Sequence, residues 1–240
     1  MLSNLGQSII DFLKQLITWA PGLIIGVVFH EYAHGFIAYK SGDPTAKNMG
    51  RLTLNPIAHI DIFGSILLPI VLILFGSKII FGYAKPVPIN PNYFRNYRKG
   101  IRYTSLAGPV MNLIIAFVIG LLYGLFIYIL KISNFSISLP AESAGSQFVF
   151  LINQMFNSAI YINIFLAIFN FIPIPPLDGS KILASFLPTE AMNKYLSFGR
   201  FGFIFIFIIL FLGGRIFWTI VSPIILFLYN IFTWWQYLIV

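Results

Sequence analysis

The feature that most restricts this chain is a set of apolar runs of membrane-spanning length, at about 19–39, 105–130, 148–173, 199–213 and 216–239. Inside a bilayer no water reaches the backbone, so such a run must satisfy its own N–H and C=O groups, and the α-helix does so within a single segment. Composition agrees: 58% of residues are hydrophobic and 9% charged, where a soluble domain has roughly 25% charged. The mean hydropathy is +0.88. A further run at 62–81 is interrupted by Gly64, Pro69 and Gly76. Residues 1–18 mix apolar positions (Ile9, Ile10, Phe12, Leu13, Leu16, Ile17) with Asp11, Lys14 and Gln15, a pattern that predicts an interfacial helix leading to a break at Pro21-Gly22. The fold expected is an all-α polytopic membrane protein, with about five transmembrane helices and a single membrane domain over 1–240.

The chain has no Cys, which removes thiolate nucleophiles, disulfides and Cys-ligated metals. Its net charge of +8, in so apolar a sequence, suits contact with anionic lipid and fixed orientation. No basic stripe with interleaved aromatics is present to suggest nucleic acid. The N-terminus lacks a small-x-small cleavage site after its apolar run, so it is expected to insert uncleaved.

Within the almost uncharged stretch from Trp19 to Tyr39 lies His30-Glu31-Tyr32-Ala33-His34, an H-E-x-x-H motif. Residues four apart on a helix share a face, so the two imidazoles can converge on one metal ion. Glu31 projects about 100° round the helix, beside such an ion, where a general base for water belongs. The plain alternative is a set of satisfied polar groups at a helix contact, but ionisable groups at membrane depth are costly and usually functional. A catalytic zinc takes three protein ligands and keeps an open position. The other carboxylates are Asp11, Asp43, Asp61, Glu142, Asp178 and Glu190. Asp178 stands out, because Pro173, Pro175 and Pro176 unwind the chain before it and Gly179 allows a tight turn after it. Its other reading is an N-cap for a helix starting near Ser180. His59 and Asp61 offer alternative ligands.

Four stretches now point one way: HEYAHGFIAYKSGDPTAKNMGRLTLNPIAHIDIFGS (30–65), YAKPVPINP (83–91), SLAGPVMN (105–112) and NFIPIPPLDGSKIL (170–183). Together they resemble the site-2 protease family of intramembrane zinc metalloproteases, in its compact bacterial form without a PDZ or CBS module. The resemblance implies one Zn2+ per chain held by His30, His34 and Asp178, with Glu31 as catalytic base and Asn170 assisting at the active site. It leaves His59 and Asp61 as structural or supporting residues, and it implicates the extended, β-like 83–89 in presenting substrate. A catalytic core over 30–183 and a C-terminal helix pair over 197–240 complete the expected plan, with the zinc site inside the helix bundle. Physically, Asn170 can donate to a developing oxyanion or bridge two helices. Asn112 fits catalytic support and packing equally well.

The expected activity is hydrolysis of peptide bonds in or near transmembrane segments of membrane proteins. The rival readings are a metal transporter or channel using the same ligands, and a scaffold that binds membrane helices without cleaving them. If Asp178 reaches the metal, the end of the H-E-x-x-H helix and the break at Pro173 share one side of the membrane, and 62–81 must be re-entrant. Lys40, Lys47, Arg51, Lys78, Lys85, Arg95, Arg98, Lys99, Arg102, Lys181, Lys194 and Arg200 then fall on one side, against Lys14, Lys131 and Arg215. By the positive-inside rule the active site faces the cytoplasm, in a bacterial plasma membrane.

Overall fold

The structure, a computed structural model, describes residues 2–67, 71, 82–133, 140, 143–208 and 214–236. It is mostly helical (79%), and no sheet forms among the described residues. The main helices are α1 (Leu2–Ser41), α2 (Tyr97–Ile132), α3 (Ala144–Phe171), α4 (Asp178–Ala184), α5 (Thr189–Ser197) and α6 (Gly214–Phe232). Four are long and apolar enough to cross a membrane: Lys14–Ser41 within α1, and α2, α3 and α6. Along α6, Ile216, Ile220, Ile224, Phe227 and Ile231 are exposed while Phe217, Val221 and Ile225 are buried. A helix apolar on both its packed and its open face belongs in lipid.

Two expectations change. The break expected at Pro21-Gly22 is absent, because α1 runs unbroken through Pro21. One proline removes a single backbone hydrogen bond, which an apolar membrane helix tolerates. The value of Gly22 lies in closeness instead: a Cβ there would come within 2.5 Å of the Ala159 Cα. Likewise α2 starts at Tyr97, eight residues before the apolar run, because its first two turns carry Arg98, Lys99 and Arg102. Of the interrupted run, Ile62–Leu67 is a helical turn, and most of 68–81, on which the re-entrant reading rests, lies outside the described residues. Of the run 199–213, the structure gives a 3-10 turn at Phe198–Phe201 and a short helix at Gly202–Phe207, with 209–213 outside the described residues.

The chain divides into two compact units, with boundaries inside α1, α2 and α3. One comprises the described residues of Met1–Gly26, Asn112–Asn170 and Phe203–Val240. There α1, α2 and α3 are joined by buried amides. The Asn112 Nδ2 donates to the Gly26 carbonyl (3.0 Å) and to Asn163 Oδ1 (3.0 Å), and Asn163 Nδ2 donates to the Gly22 carbonyl (3.1 Å). Stacked Phe165 and Trp218 join α3 to α6, with ring centroids 5.7 Å apart.

The second unit comprises Val27–Met111 and Phe171–Gly202. Its core is Ala38, Phe94, Ile101, Ala184 and Met192, which packs the end of α1 and the start of α2 against α4 and α5. Arg102 ties α2 to the loop after α4, donating from Nε to Ser185 Oγ (3.0 Å) and lying 3.6 Å from the centre of the Phe186 ring. Residues 82–90 of this unit are extended but join no ladder. Pro86 and Pro88 have no N–H to offer one.

Candidate metal centre

The centre forms within the second unit, from the last turns of α1 and the first residue of α4. Spacing on α1 sets His30 and His34 on one face, with ring centroids 4.5 Å apart and planes at 87°. Asp178 reaches them because the chain leaves the helix after Phe171, passes through Pro173, Pro175 and Pro176, and re-enters helix at Asp178. Gly179 permits that tight return, since a Cβ there would lie 2.2 Å from the Phe171 carbonyl oxygen. The N-cap position falls on Leu177, so the Asp178 carboxylate does not cap α4. It turns Oδ2 to the imidazoles and Oδ1 to Lys181 Nζ (3.2 Å).

Three potential ligand atoms converge: His30 Nε2 lies 3.2 Å and His34 Nε2 3.0 Å from Asp178 Oδ2, and the two Nε2 atoms are 2.9 Å apart. All three residues are buried, with 5–8% exposure. The His34 Nδ1 contacts the Thr104 carbonyl at 2.6 Å. A carbonyl can only accept, so that ring carries its proton on Nδ1 and presents a lone pair at Nε2. A lone pair, a carboxylate oxygen and a second imidazole nitrogen therefore face one point. One proton cannot serve all three; a cation can.

Tetrahedral zinc with bonds of about 2.0–2.1 Å separates its ligand atoms by roughly 3.3 Å, within a few tenths of the spacing seen. Gly108 of α2 keeps the space in front of the imidazoles open: a Cβ there would lie 2.5 Å from both Nε2 atoms. Donor set and cradle both fit zinc. Among the described residues, His30, His34 and Asp178 form the group able to hold a metal ion.

The Glu31 carboxylate stands beside the cluster and accepts a hydrogen bond from the Val87 N–H at 2.8 Å. His59 and Asp61 serve the backbone around them. His59 Nε2 meets the Thr53 carbonyl (2.9 Å), its own carbonyl accepts from Lys85 N–H (2.9 Å), and Asp61 Oδ1 accepts from Gly64 N–H (2.8 Å). Asn112 and Asn170 belong to the first unit. Asn112 lies in the buried amide network, and Asn170 Nδ2 donates to the Leu166 carbonyl one turn back (3.0 Å). Sequence reasoning weighed Asp43 only as one of the remaining carboxylates and gave Thr104 and Asn163 no role. Asp43 is fully buried, accepting from Thr45 N–H (2.9 Å) and Asn90 N–H (2.6 Å). Its position in Ser41-Gly42-Asp43-Pro44 just after α1 was the available signal. Thr104 acts through its carbonyl, which leaves none.

Comparison with known proteins agrees with this chemistry. Residues 18–213 match the description of peptidase family M50. A Bacillus subtilis protein named "Putative zinc metalloprotease YwhC" is 39% identical over 203 residues, covering 83% of this chain and 84% of that protein. "Putative zinc metalloprotease Rip2" of Mycolicibacterium smegmatis is 29% identical over 189 residues, covering 79% of this chain and 64% of its own length. The Mycobacterium tuberculosis H37Rv protein of the same name is 25% identical over 191 residues, with 78% and 64% covered. No solved structure matches the chain significantly. Neither the transporter nor the scaffold reading is favoured by these relatives. With a zinc-competent His-His-Asp cluster, a carboxylate beside it and helices fit to span a bilayer, the chain belongs to peptidase family M50, the site-2 protease family of intramembrane zinc metalloproteases.

Proposed function

We propose that His30, His34 and Asp178 are the zinc ligands, that Glu31 is the general base, and that the enzyme cleaves other membrane proteins in or beside their transmembrane segments from the cytoplasmic side of a bacterial plasma membrane. One observation carries the reading: two imidazoles and a carboxylate from distant parts of the chain meet within 3.2 Å, with a glutamate adjacent in sequence. Zinc held there supplies Lewis-acid polarisation of the scissile carbonyl and acidifies water. Glu31 takes the proton from the attacking water and returns it to the leaving amine. Thr104 fixes the His34 tautomer through its carbonyl, and Lys181 steers the Asp178 oxygens. Asn170 is assigned an assisting role in catalysis by the likeness to the family, and Asn112 holds α1, α2 and α3 together through the buried amide network. A helical substrate hides its carbonyls in its own hydrogen bonds and has to unwind locally, and the likeness to the family assigns the extended segment 83–89 to presenting it.

Orientation is supported by charge. Eleven described basic residues (Lys40, Lys47, Arg51, Lys85, Arg95, Arg98, Lys99, Arg102, Lys181, Lys194, Arg200) fall within the unit that contains the cluster. Residues 1–240 form one membrane domain, in which 30–183 are the catalytic core. The test is incubation of purified protein with a panel of single-pass membrane proteins, with and without chelator, and mass mapping of the products. Cuts within or beside the spanning segment that chelator abolishes are expected. Chelator-insensitive cleavage, or cuts confined to soluble loops, would overturn the reading.

A further inference from the structure

Segment 82–90 is strung along the second unit by four backbone amides. Tyr83 N–H donates to the Gly64 carbonyl (3.1 Å) and Lys85 N–H to the His59 carbonyl (2.9 Å). Asn90 N–H donates to Asp43 Oδ2 (2.6 Å). Arg51 Nη2 secures the middle from the carbonyl side, donating to Lys85 O (3.0 Å) and Pro86 O (3.3 Å). The fourth amide, Val87 N–H, ends on Glu31 Oε2 at 2.8 Å.

Local sequence makes that amide singular. Val87 sits between Pro86 and Pro88, so residues 86–88 hold one N–H in all, with φ fixed on either side. The Val87 side chain is buried (5% exposed) and stands over Gly35, where a Cβ would meet Val87 Cγ1 at 3.0 Å. Gly35 lies one turn of α1 beyond Glu31, so side chain and amide of one residue both press on the helix that carries the base.

We propose that the Val87 N–H is the positioning group for Glu31, and that the Pro86-Val87-Pro88 pattern exists to bring a single rigid donor to one oxygen of that carboxylate. The proposal rests on Glu31 being the base. Oε2 is held by the amide and Oε1 is left to face the reacting water. Hydrogen bonds to charged groups are worth about 1.5–3 kcal/mol, and freeing this carboxylate lowers the share of molecules with the base in place by about 10- to 100-fold. Asp43, His59 and Arg51, none of them in the metal cluster, then influence turnover by tensioning the segment.

Val87→Pro deletes the N–H and keeps an extended backbone, whereas Val87→Ala keeps the N–H and trims the side chain. Val87→Pro is expected to hold one zinc per chain with KM within about threefold of the parent, while kcat falls about 10- to 100-fold and at least ten times further than in Val87→Ala. An independent reading uses hydrogen exchange in zinc-loaded Glu31→Ala: exchange at Val87 rises about tenfold and exchange at Lys85 does not. Unaltered kcat in Val87→Pro, an equal loss in Val87→Ala, or unaltered Val87 exchange in Glu31→Ala would each overturn the proposal. Failure of the underlying reading looks different, because Glu31→Gln would then retain turnover.

Discussion

Gly108 carries no functional group, yet the structure makes it the sharpest test of the metal centre. In Gly108→Ala the added methyl begins 2.5 Å from His30 Nε2, 2.5 Å from His34 Nε2 and 2.6 Å from His30 Cε1, where ordinary contact starts at 3.4 Å. Relief requires a separation of about 0.9 Å to open. Both imidazoles sit on one rigid helix, and His34 is also pinned to the Thr104 carbonyl. Metal sites tolerate roughly ±0.2 Å in ligand position. Changes that merely loosen a ligand's support cost about 10- to 100-fold in affinity, so displacing two ligands together should cost at least about 100-fold. The fold should survive, because overpacking costs about 1–3 kcal/mol and Gly→Ala within a helix returns up to about 1 kcal/mol. Elemental analysis after dialysis is expected to give less than about a tenth of the parent's zinc, with unfolding of the metal-free protein shifted by no more than about 2 kcal/mol. A Gly108→Ala protein with a full equivalent of zinc and parental turnover would refute the geometry on which the site is built.

Glu31→Gln should keep its zinc while kcat falls by about 10²- to 10⁴-fold, a separation of binding from turnover measured by elemental analysis and a cleavage assay. Asn163→Ala removes the hydrogen bonds to the Gly22 carbonyl and from the Asn112 amide in a buried network and should destabilise the protein by about 1–2 kcal/mol without loss of zinc. Thermal unfolding in detergent reads the first effect, and unchanged stability would mean that the amides do not hold the helices together. In single-cysteine variants Asn48→Cys and Ser138→Cys, only the second should react with an impermeant thiol reagent added outside intact cells; labelling of both would remove the cytoplasmic orientation.

What could be read before the structure was the chemistry with a fixed local period or a strong conformational cue. His30 and His34 are four apart on a helix that apolar composition alone demands, and Asp178 follows a run of prolines that no helix could contain. Boundaries were less legible, for a physical reason. An apolar run ends where charge begins, but a hydrogen-bonded helix need not, so α2 extends through Arg98, Lys99 and Arg102 to Tyr97. Pro21-Gly22 looks like punctuation in isolation, yet helix continuity is decided by neighbours, and the absent Cβ of Gly22 lets Ala159 approach.

The backbone's share of the site was invisible for a deeper reason. His34 is oriented by the Thr104 carbonyl and Glu31 is held by the Val87 amide, groups that nearly every residue possesses. A sequence can mark such a group only by removing its competitors. Gly108 does so by withholding a side chain where the imidazole nitrogens need room. Pro86 and Pro88 do so by withholding their amides, so that the one N–H remaining between them is the one that meets the glutamate. In a membrane-embedded site with few polar side chains to spare, positioning falls to the main chain, and glycine and proline are the residues through which selection can act on it.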